Sequence, residues 1–113
     1  MEIITQAITL ARLRKMAEAR FGDMVKAVVD VEKAIMAVDG ELHADEEQLL
    51  LEHGSAQAGL WGINIYPDAD IEDWIEFDSM INLRPSQGNR SRGVEDPLVR
   101  QRILDIVSRL VTR

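Results

Sequence analysis

The chain has 113 residues, 46% of them hydrophobic and 29% charged, with a formal net charge of −7 and no cysteine. Those values favour one globular domain over disorder, and they exclude disulfides, zinc–thiolate sites and thiol catalysis. An acidic chain without a broad basic face is also a poor match to duplex nucleic acid.

Residues 9–21 read as a helix, with Thr9 as its cap, an apolar stripe of Leu10, Leu13, Met16 and Ala17, and Gly22 as its stop. Residues 24–38 are ambiguous. A helix gathers Val25, Val28, Val29, Ile35 and Met36 but adds Glu32 to the same face. Four valines between 25 and 31 favour strands, with a turn near Glu32-Lys33 and a second strand from Ala34 to about Leu42. His43-Ala44-Asp45-Glu46-Glu47 reads as a helix start capped by Asp45, and Gly54 as the end of that helix.

Leu60 to Tyr66 alternates, with Trp61, Ile63 and Ile65 on one face, and Pro67-Asp68-Ala69-Asp70 interrupts it. Trp74 to Leu83 alternates again, with Ile75, Phe77, Ser79, Ile81 and Leu83 inward and Glu76, Asp78 and Asn82 outward. The two runs predict a hairpin and an antiparallel sheet. Trp61 reads as a core anchor, whereas the parity of the second run puts Trp74 on the polar face as an exposed aromatic. Asp96 and Pro97 open a last helix whose apolar face is Val99, Ile103, Ile106, Val107 and Leu110. The expected fold is α+β: a four-stranded, mostly antiparallel sheet with about three helices on its apolar face, in the order α-β-β-α-β-β-α, over a single domain 1–113.

Four segments stand out in combination: Val28-Val29-Asp30-Val31-Glu32-Lys33, Gly40-Glu41-Leu42-His43-Ala44-Asp45-Glu46, Leu60-Trp61-Gly62-Ile63-Asn64, and Asn82-Leu83-Arg84-Pro85-Ser86-Gln87-Gly88-Asn89-Arg90-Ser91. Together they resemble a family of small prokaryotic proteins catalogued only as a domain of unknown function. The resemblance covers nearly the whole chain and implies a standalone bacterial or archaeal protein. It carries no activity and no catalytic residue. No apolar run approaches the ~20 residues of a membrane span, and the N-terminal residues lack a signal-peptide pattern. A cytoplasmic protein with no membrane partner is therefore expected.

The densest positive charge is the loop 84–93, where Arg84, Arg90 and Arg92 stand among Ser86, Gln87, Asn89 and Ser91. Guanidinium forks and glycine-flanked amides suit an oxyanion or an acidic protein surface. The same arginines can instead clamp the chain's own carboxylates or meet a second copy, since residues 68–78 carry −6 and no positive charge. His43 beside Asp45 is a second candidate, for acid–base chemistry in a small hydrolase-like site. Asp30 with Glu32, and Glu76 with Asp78, are carboxylate pairs expected on strand faces. Neither a phosphate-loop motif nor HExxH is present, so no cofactor or metal is expected. The leading reading is a binding module using the Arg loop for an anionic ligand or partner. A homo-oligomer interface is the alternative, and an enzyme using His43 and Asp45 the third.

Overall fold

The computed structural model describes residues 1–113. Its elements are β1 (Glu2–Ile4), β2 (Ile8–Thr9), α1 (Leu10–Arg20), β3 (Val25–Asp30), β4 (Ile35–Val38), α2 (His43–Glu52), β5 (Leu60–Ile65), β6 (Ile75–Glu76), α3 (Pro97–Leu110) and β7 (Val111–Thr112). The α+β class is as expected. β1, β4, β3, β5 and β6 form one antiparallel sheet in that order, and β2 pairs in parallel with β7. No helix is long and apolar enough to cross a membrane.

The valine-rich segment is a hairpin, as its β-branched composition requires, with Val29 opposite Met36 across β3–β4 and opposite Trp61 across β3–β5. Its turn is held by a buried carboxylate. Asp30 Oδ1 accepts the amides of Glu32 and Lys33, both at 2.9 Å, and Oδ2 accepts the Ser55 hydroxyl at 2.6 Å. The Asp30–Glu32 pair is therefore a turn staple beside an exposed glutamate. β4 stops at Val38, short of Leu42, because Asp39 leaves the strand with φ +67°.

Alternation divides the side chains between two cores. Val25, Ala27, Val29, Met36, Val38, Trp61, Ile63 and Ile65 pack under α1 and α3, which contribute Leu13, Ala17, Ile103, Val107 and Leu110. Val28, Ala37 and Leu60 face the other way, onto Leu50 of α2. The sheet thus lies between two helical layers, with α2 on the face opposite the other helices. Both faces are apolar, so a strand's alternation alone does not say which face a given helix covers.

The expected long strand 74–83 is corrected. Only Ile75 and Glu76 pair with β5; the chain then leaves the edge, and a 3-10 turn spans Met80–Asn82. Asn82 folds inward and replaces the missing strand. Its Oδ1 accepts the Gly62 amide at 2.8 Å and its Nδ2 donates to the Gly62 carbonyl at 3.0 Å, so the edge groups of β5 stay paired. The segment can approach because residue 62 has no side chain: a Cβ there would stand 2.5 Å from Ser79 Cβ. Trp74 is also corrected, being buried in the main core with the Arg113 guanidinium over its ring. It precedes a two-residue strand, so the parity of a longer one does not apply to it.

Candidate functional site

The Arg loop is a tight hairpin closed by two backbone bonds between Arg84 and Asn89, 2.9 and 3.1 Å, with Gly88 at φ +80° supplying the turn. Asn89 is its hub. The buried amide donates to the carbonyls of Asn82 (2.7 Å), Gly93 (2.8 Å) and Ser91 (3.2 Å), and Oδ1 accepts the Glu95 amide at 2.9 Å. Arg84 turns away from solvent. It donates to the carbonyls of Gln57, at 2.5 Å, and Leu60, and its guanidinium lies 4.1 Å from the Trp61 ring centroid. Burial weakens its hold on its proton, and the charge of Glu47 opposes that loss. Gln87 donates to the Ala58 carbonyl at 3.2 Å, and the Ser91 hydroxyl accepts the Gly93 amide at 3.2 Å. Only Arg90 and Ser86 have side chains without a partner in the chain.

Arg92 is placed differently. Its Nε donates to Asp78 at 2.7 Å, and both residues line a cleft of about 410 Å³. The floor of the cleft is a polar row across three strands, because Lys26 of β3 stands opposite Asn64 of β5, which stands opposite Glu76 of β6. The 6% exposed Asn64 donates from Nδ2 to Glu76 at 2.8 Å and to the Asp78 carbonyl at 3.4 Å. Two acceptors on that nitrogen fix which way the amide points. Tyr66 donates its hydroxyl to Glu76 at 3.2 Å, and burial followed by the Glu76 charge raises its pKa.

Leu42, His43 and Ala44, the N-terminal end of α2, complete the wall. The expected cap is corrected here. The helix begins at His43 with Leu42 in the cap position, and no side chain caps it. Asp45 lies inside the first turn, where it suits the helix dipole. The amides of His43 and Ala44 therefore have no side-chain acceptor at the positive end of the helix.

His43 is only 7% exposed. Its Nε2 lies 2.7 Å from the Ile63 carbonyl. A carbonyl only accepts, so Nε2 carries the hydrogen and Nδ1 keeps a lone pair. Nδ1 has no partner in the chain. Burial lowers the His43 pKa, with Lys26 and Arg92 adding to the effect and the Ile63 bond and Asp78 opposing it, so the ring is neutral at physiological pH.

The sequence candidates thus separate. His43 and Arg92 share the cleft, whereas Asp45, two residues on and across the helix, lines a different one with Arg20, Asp39 and Gln48. Glu32 lies in a third depression with Gln87 and Gly88, apart from Asp78. No group of three or more histidine and acidic side chains is arranged to hold a metal. Sequence reasoning passed over Lys26, Asn64 and Tyr66. The available signal was polarity at alternate positions of strands that are otherwise apolar, but their convergence depends on register.

No curated protein and no solved structure is significantly similar to the chain. One family model, described as Protein of unknown function (DUF5674), matches residues 2–110. That span takes in both hairpins, the uncapped start of α2 and the whole Arg loop, so the chain belongs to the DUF5674 family.

Proposed function

We propose that the protein is a binding module for a small ligand bearing an oxyanion, seated in the cleft at the start of α2. One observation carries the reading: an uncapped helix N-terminus opens beside two cations from separate elements, Lys26 and Arg92. Amides at a helix start attract negative charge, and cations beside them strengthen that attraction. Glu76 and Asp78 offset the cleft's formal charge, so recognition rests on placed donors. The Arg loop serves this site by holding Arg92 against Asp78, while Asn89 and Arg84 keep the loop in shape. The cleft volume lies within the range of small-molecule sites.

A thermal-shift series with phosphate and sulfate on wild type, Lys26→Ala, Arg92→Ala and Arg90→Ala tests this reading. Saturating anion at about a hundred times its dissociation constant adds ~2.7 kcal/mol. The shift is expected in wild type and Arg90→Ala and lost in the other two. A shift that survives both cleft variants, or no shift in wild type, refutes the cleft.

A second reading makes the loop tip an interface between copies. It is favoured by exposed, unpaired charge of both signs: Arg90 on the loop, and Asp70, Glu72 and Asp73 on the β5–β6 connection. Sedimentation in low and high salt decides it. Salt-sensitive association abolished by Arg90→Ala supports it, and a monomer under both conditions removes it.

A further inference from the structure

The anion-binding reading leaves the histidine of the cleft unused. His43 lines the cleft and is more than nine-tenths buried; its ring is held by the Ile63 carbonyl through Nε2, and its Nδ1 has no partner. A neutral imidazole nitrogen with its lone pair free is an acceptor only. It repels an oxyanion and attracts a hydroxyl hydrogen. The same residue contributes an amide at the start of α2, so acceptor and donors lie within one residue of each other.

Resting on that reading, we infer that the ligand of this cleft is a small hydroxy-oxyanion, a phosphate or carboxylate with a hydroxyl a few bonds away. The anion meets the His43 and Ala44 amides with Lys26 and Arg92, and the hydroxyl donates to His43 Nδ1. Asn64 and Tyr66 already spend their donors on Glu76; Asn64 Oδ1 is a second unpartnered acceptor in the cleft, and the His43→Gln variant tells the two apart. Two ligand sources share this chemistry, hydroxy-phosphates and hydroxy-carboxylates, and the probes separate them.

The test is calorimetric titration at about pH 8, where the lowered His43 pKa keeps the ring neutral. The charged groups facing the ring are Lys26, Asp78 and Arg92. The probes are glycerol 3-phosphate against propyl phosphate, glycerate against propionate, and inorganic phosphate alone. In at least one pair the hydroxylated member is expected to bind about tenfold more tightly, since its deoxy analogue leaves a desolvated acceptor unmet. His43→Gln can still donate to the Ile63 carbonyl from its terminal amide but removes Nδ1, and in it that ratio falls to about one. Equal affinities within every pair that binds wild type overturn this inference and leave the anion site standing, a comparison that needs no variant. A preference retained in His43→Gln overturns the role of His43. No binding by any probe, inorganic phosphate included, overturns both readings.

Discussion

Glu46 offers a quantitative test of how α2 is built into the fold. Its side chain has no exposed surface; Oε2 accepts the Gly40 amide at 2.9 Å and Oε1 has no partner. Burial pushes its pKa up to about 9. The Gly40 bond, Lys26 and the chain's amino terminus pull it down, and Asp39 adds to the rise. The folded value exceeds the unfolded one, so between about pH 4.5 and 9 the native state holds a proton that the unfolded chain has lost. The stability that this proton represents is complete below the unfolded pKa and is lost as pH rises through the folded one. One proton corresponds to ~1.4 kcal/mol per pH unit, so moving from about pH 7 to about pH 8.5 costs ~2 kcal/mol. Glu46→Gln keeps an acceptor for Gly40 and cannot ionise. Urea denaturation of both proteins at the two pH values is the assay, and comparing them cancels titrations they share. The stability difference is expected to move by ~2 kcal/mol in favour of the glutamine variant at the higher pH. A difference that stays constant refutes a protonated Glu46.

Substitutions at four further positions, each read by denaturant unfolding, probe the Arg loop and the supports of the site. Asp30→Ala strips two turn amides and the Ser55 hydroxyl of their buried acceptor and should cost about 3 kcal/mol; a loss near zero would mean the turn does not depend on it. Gly62→Ala drives a methyl against Ser79 and should cost ~1–3 kcal/mol, part of which returns when Ser79→Gly is added. Arg84→Ala should cost ~1–3 kcal/mol, and Arg84→Lys should not restore it, because an ammonium cannot both fork to two carbonyls and stack on Trp61. Arg90→Ala, with no partner to lose, should stay within ~0.5 kcal/mol of wild type. Full rescue by lysine would show that charge alone matters at position 84.

Local chemistry determined much of this protein. Thr9 and Asp96 cap their helices through their own oxygens, at 3.1 Å to Arg12 N and 2.9 Å to Leu98 N. Gly22 and Gly54 stop helices by taking φ +97° and +92°. Valines 25, 28 and 29 favour a pleated strand wherever it packs. Such preferences act within a few residues, so the sequence alone displays them. The rest needed contacts between distant segments. β1, of three residues, and the β2–β7 pair, of two residues each, are too short to show a period and exist because neighbours supply their hydrogen bonds. Asn82 looked like an outward strand residue and became a surrogate strand because Gly62 left room for it. The loop arginines looked alike in sequence. Tertiary structure turned Arg84 inward onto Trp61, set Arg92 in the cleft and left Arg90 free. The cleft has the same origin: Lys26, Asn64 and Glu76 align through strand register, and His43 joins them because α2 lies across that face. Register and layer order are decided by packing over the whole chain, which no local stretch of sequence contains.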